Sequence, residues 1–146
     1  MNNKGQSLFE VVVALAISAV IIIALVSLVS NSVRNAVFSK NSTQASLRAQ
    51  EAIEWIRGER DNDTAVFLTN VQVPTYCLVG LNWNQTGSCQ SDDLVTGTNF
   101  IREVDFSLST ISGKTLVQAD VTISWTDSQG VHEVKNSTTF TDWRQR

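Results

Sequence analysis

Few residues in this chain of 146 can do chemistry: two cysteines, one histidine and fourteen carboxylates. A structural zinc site built from thiolates alone needs four, so Cys77 and Cys89 do not make one. They enclose eleven residues, including Gly80, Trp83 and Gly87, in an Asn- and Gly-rich stretch with little core of its own. The expected state is a Cys77–Cys89 bridge, which in an oxidising compartment contributes about 3 kcal/mol by restricting the unfolded chain. Two buried free thiols are the alternative. His132 has no Ser or Cys near it in sequence with which to form a triad, so a surface position is expected. Asp61-Asn62-Asp63 and Asp92-Asp93 offer oxygens but fall short of a calcium loop's ligand count. Four Asn-x-Ser/Thr sequons, at Asn41, Asn62, Asn84 and Asn136, fit chance in a chain this rich in those residues. No phosphate-binding glycine loop or nucleophile elbow occurs. No catalytic residue, metal site or cofactor is expected. The residue that stands out is Glu10, an acid set against the start of a long uncharged run.

That run constrains everything else. Charged residues are only 17% of the chain, and none lies between Val11 and Ser30. Val11–Val29 is interrupted only by Ser18 and Ser27. As a helix it spans ~28 Å, close to the hydrocarbon thickness of a bilayer. Its many β-branched residues suit a strand in water, but in lipid only a helix satisfies its own backbone within one segment. A cleaved secretory signal is the competitor. Its apolar region is usually shorter and ends in a small-x-small site, whereas Ala14-Leu15-Ala16 sits mid-run. Lys4, the sole charge before Glu10, places the N-terminus in the cytoplasm by the positive-inside rule. The net charge of -3 is uneven: residues 1–60 hold six Lys/Arg against four Asp/Glu, residues 61–146 five against ten. An acidic outer half repels phosphate, so no nucleic-acid partner is expected.

Taken alone, Glu10 reads as a carboxylate snorkelling at the cytoplasmic interface, because an acid deeper in lipid is costly. Its context says more. Lys4-Gly5-Gln6-Ser7-Leu8-Phe9-Glu10-Val11-Val12-Val13-Ala14-Leu15 resembles the prepilin leader of type IV pilins and type II secretion pseudopilins. The resemblance implies a leader of Met1 to Gly5, cleavage between Gly5 and Gln6, N-methylation of Gln6, and Glu10 as fifth mature residue. It further implies a prepilin peptidase/methylase, an inner-membrane assembly platform and other pilin subunits as partners, with lipid as the environment before assembly. Gln6 replaces the usual large apolar first residue, and Ser27 stands where pilins often place a helix-breaking proline. The physical chemistry is coherent. Gly5 lets a protease approach the carbonyl closely. Cleavage then exposes an α-amino group on Gln6, and Glu10 of a neighbouring subunit can pair with it. A misregistered helix would strand both charges, so the pair acts as a register device.

The rest of the chain reads as α+β: a long N-terminal helix packed on a small antiparallel sheet. The domain reading is leader 1–5, membrane and polymerisation helix 6–30, amphipathic helix 31–58, and a globular sheet domain 59–146 whose 59–99 segment is loop-rich. Residues 31–57 hold no Pro or Gly. Val33 and Val37 stand at i, i+4, and Ala45, Ala49, Ala52, Ile53 and Ile56 then form an apolar stripe at helical spacing. Arg48, Glu51, Glu54 and Arg57 form a solvated face, and Gly58 is the expected stop. Val117, Ala119, Val121, Ile123 and Trp125 alternate with polar residues, as do Val104, Phe106 and Leu108. Turns at Ser112-Gly113-Lys114 and 126–130 give a three-stranded meander ending at Val131–Phe140. The pattern Ala45-x-x-x-Ala49-x-Glu51-x-x-Glu54-x-x-Arg57 and the Asp142-Trp143-Arg144 tail resemble minor pilins, with pseudopilins and major pilins as close alternatives. The alternative from another class is a single-pass anchor presenting an extracellular binding module.

Overall fold

The computed structural model describes residues 4–111 and 114–141, with side chains from Leu8 to Ile111 and from Lys114 to Thr141. Ser112-Gly113 of the expected turn and the Asp142-Trp143-Arg144 tail lie outside them.

Helix α1 runs Lys4–Asn62. The chain's single proline is Pro74, so nothing removes an N–H from α1 or kinks it by that route. The chain divides into two units, residues 1–40 and 41–146. Among its described residues the first is helix alone. The second combines the end of α1 with α2 (Thr64–Asn70), β1 (Thr75–Cys77), β2 (Ile101–Ile111), β3 (Lys114–Asp127) and β4 (Gly130–Thr141).

Within the second unit the strands form one antiparallel sheet in the order β1-β2-β3-β4. The alternation in β3 does what its period demands: Val117, Ala119, Val121, Ile123 and Trp125 are all buried. Ala45, Ala49, Ala52, Ile53 and Ile56 of α1 share their core with them, which is the α+β layout expected. The alanines matter because a side chain no larger than a methyl lets helix backbone lie close to the sheet. The stripe is buried from Ala45 onward, while the earlier pair Val33 and Val37 is exposed. Leu108 is 41% exposed rather than core, since it pairs with Val117 beyond the stretch that β1 borders.

Other departures have physical causes. The helix passes through Gly58 and continues to Asn62. Glycine costs about 1 kcal/mol there, and two contacts just beyond it offset that: Trp83 Nε1 donates to Glu59 (2.8 Å), and Arg60 lies over the Phe140 ring. Asp63 then caps α2, its carboxylate accepting from the N–H groups of Ala65 and Val66. Asp61 pairs with Arg60. Those acids thus have structural tasks, and no group of three or more potential metal ligands occurs among the described residues.

Residues 59–99 also hold α2 and a fourth strand, β1. Cys77 and Cys89 form a disulfide. The loop between them is pinned by Trp83, whose ring lies 4.7 Å from Trp55 of α1 and 5.0 Å from Tyr76. The Cys89 N–H also donates to Glu103 of β2 (2.8 Å). Replacing both cysteines by alanine is expected to lower stability by about 3 kcal/mol, read from urea unfolding of the full chain in detergent. A loss below about 1 kcal/mol would mean that Trp83 docking alone holds the loop.

Candidate assembly helix

Among the described residues, the first unit has no core. Leu8 and Phe9 are each 71% exposed, Ile23 is 70%, and every large apolar residue from Leu8 to Val29 is open. The helix is long and apolar enough to cross a membrane. An apolar patch this extended has no place on a soluble monomer. Its surface needs lipid or other helices.

Two serines interrupt the apolar run. Ser18 donates its hydroxyl back to the carbonyl of Ala14 (2.8 Å), which hides its polarity within the helix. Glu10 borders an open groove lined by Phe9, Val13, Ala14 and Ile17. Glu10 is exposed here, and a desolvation cost would fall on its carboxylate only in lipid or a helix bundle, where a cation would offset it. Gly5 and Gln6 lie in the first turns of α1, and Gln6 is four residues before Glu10, one helical turn of ~6 Å rise. The backbone therefore puts positions 6 and 10 on one helix face.

Residues 1–26 match the family model described as the prokaryotic N-terminal methylation motif. This segment carries the prepilin-type leader motif of type IV pilins and pseudopilins. No curated protein and no solved structure matches the chain. The leader motif covers Lys4, Gly5, Gln6 and Glu10, so every residue assigned to processing or charge pairing falls inside it.

The charge balance around the span is less directive than Lys4 suggests. Arg34 and Lys40 follow the apolar run, so Lys/Arg counts alone do not fix which end stays in the cytoplasm.

In the second unit, sequence reasoning missed Arg102. Its side chain is 3% exposed, donating through Nε to the Leu78 carbonyl (3.0 Å) and through Nη1 to Glu51 (3.2 Å). Glu51 also receives Arg48 (3.0 Å), so the supposedly solvated face of α1 includes a tie to β2. Arg48 hydrogen bonding, with help from the Arg102 charge, holds the Glu51 carboxyl below its ordinary range despite some desolvation. Burial pushes the Arg102 guanidinium down while Glu51 opposes it. The expected i, i+3 pairs do form: Arg48 with Glu51, and Arg57 with Glu54.

His132 is half-buried rather than on the surface. Its Nε2 lies 2.9 Å from Asp127, and its ring 5.3 Å from Trp125. The Asp127 carboxyl lies below its ordinary range, first because the Gln129 N–H donates to it and then through His132. This arrangement braces the β3–β4 turn, where Gly130 adopts φ 120°.

Proposed function

We propose that this chain is a structural subunit, a minor pilin, of a type IV pilus or related filament. The single observation that carries the reading is the leader motif continuing into a helix whose large apolar residues from Leu8 to Val29 are all open. Prepilin peptidase cuts between Gly5 and Gln6 and the new amine is methylated. The helix waits in the inner membrane with its N-terminus cytoplasmic and its sheet-bearing unit outside. Orientation rests on the leader rather than on charge counting.

Assembly moves the helix from lipid into a bundle of like helices. Lipid is as apolar as that bundle, so hydrophobic transfer contributes little. What favours the bundle is packing, pairing of Glu10 with a neighbour's Gln6 amine, and work from an assembly platform. The leader serves major pilins and pseudopilins equally. The helix pattern Ala45-x-x-x-Ala49-x-Glu51-x-x-Glu54-x-x-Arg57 supports the minor-pilin choice.

Mass spectrometry of the N-terminal peptide from native membranes and sheared fibres tests the reading. A mature chain starting at methylated Gln6 and present in the fibre fraction is expected. A chain recovered with Met1 to Gly5 intact, and only in membranes, would make it a simple tether for an extracellular module.

A further inference from the structure

Beyond the helix, the sheet offers a second surface with a readable partner. Backbone hydrogen bonds run from Leu78 N to the Arg102 carbonyl and from Phe106 N to the Pro74 carbonyl, so even-numbered residues of β2 face β1. Odd-numbered residues of β2 therefore bond to β3, and the register carries the alternation across. In β3 the odd-numbered residues bond to β4, meeting partners such as Phe140, Thr138 and Asn136. The odd-numbered residues of β4 thus turn their N–H and C=O groups outward, at an edge with no further strand among the described residues.

This edge is long, running Gly130–Thr141, and it carries Val131 at 75% exposure. Its only Asp, Glu, Lys or Arg residues are Glu133 and Lys135, which touch at 3.3 Å and are each more than half exposed. A lysine in mid-edge normally deters another strand. An acid two residues before it reverses that effect for one partner, the same strand run antiparallel. With a two-fold axis at Val134, Glu133 lies opposite the second copy's Lys135, Lys135 opposite its Glu133, and Val131 opposite its Ser137. All four positions present outward backbone, so about eight hydrogen bonds form over the paired stretch. A slip of one step either way sets Glu133 against Glu133 or Lys135 against Lys135, which is repulsive. Charge therefore selects one register.

We propose that β4 is a self-complementary docking edge, and that its partner is a second copy of this chain pairing antiparallel about Val134. The contact is separate from the apolar helix and does not depend on the leader being processed.

The test uses the full chain in detergent, carrying Val131→Cys and Ser137→Cys together. These positions are six residues apart on one strand, ~20 Å, and cannot join within a chain. Across the proposed pair their Cα atoms are ~5.5 Å apart, within disulfide reach. Oxidation should give a covalent dimer. Adding Glu133→Lys or Lys135→Glu alone should cut its yield at least tenfold, and adding both should restore it, because the swapped charges again oppose. Loss of the dimer in both single variants with rescue in the double cannot come from damage to the fold. Failure to cross-link, or cross-linking indifferent to the swaps as association through α1 alone would give, overturns the proposal.

Discussion

Replacing Glu51 by alanine should destabilise the sheet-bearing unit more than replacing Arg102 by methionine, although Arg102 is the buried partner. Glu51 is 43% exposed at its side chain and Arg102 3%. Removing the carboxylate leaves a guanidinium in the interior with only the Leu78 carbonyl to meet it. Stranding a buried charge costs about 3–5 kcal/mol. Removing the arginine instead leaves Glu51 half in water with Arg48 still on it, and the loss reduces to the Leu78 carbonyl's partner, about 1–3 kcal/mol. Urea unfolding followed by tryptophan fluorescence, on the full chain in detergent, reads the difference. The opposite order would mean that water reaches Arg102 in the variant. The pH dependence has a definite sign. The Glu51 carboxyl is depressed in the fold, so its contribution is fully present above the unfolded carboxylate value and disappears as pH falls through the folded one. Wild-type stability should thus be level at neutral pH and decline in acid. The Glu51→Ala variant should decline less steeply, its remaining slope coming from other depressed carboxyls such as Asp93 and Asp127.

The same pair shows where sequence reading stops. The buried face of β3 was legible because strand geometry puts every second residue on one side, and five apolar residues in alternation leave one solution. The leader was legible because a glycine, an acid and an uncharged span must stand in fixed order within a few turns. Glu51 was not, because its second partner lies 51 residues away in β2 and helical spacing shows only its neighbours on α1. Gly58 misled for a related reason: local propensity marks a stop, and the contacts that carry the helix past it come from Trp83 and Phe140. Trp83 itself sits among Asn and Gly with no period to announce it. His132 looked alone in sequence because its carboxylate belongs to the turn before it.

Glu10→Ala should leave the precursor inserted and cleaved after Gly5 yet strongly reduce its entry into fibres. The leader and the apolar span are untouched by the change, so the steps that need only a membrane helix and a peptidase proceed. Docking is different. If Glu10 meets the Gln6 amine of a neighbour, its loss leaves that amine unpaired among apolar side chains. An uncompensated charge there costs several kcal/mol, and each ~1.4 kcal/mol is a factor of ten in an equilibrium. Recovery in sheared fibres, relative to the membrane pool, should therefore fall by on the order of a hundredfold. Glu10→Gln separates charge from shape, since it keeps the size and a hydrogen-bonding oxygen but not the negative charge; it should fail nearly as badly. Glu10→Asp keeps the charge on a shorter arm and should retain more assembly than either. If all three variants enter fibres like wild type, the acid serves only to snorkel at the membrane face, and helix packing alone sets the register. If Glu10→Gln assembles and Glu10→Ala does not, a hydrogen bond rather than an ion pair holds the neighbouring terminus.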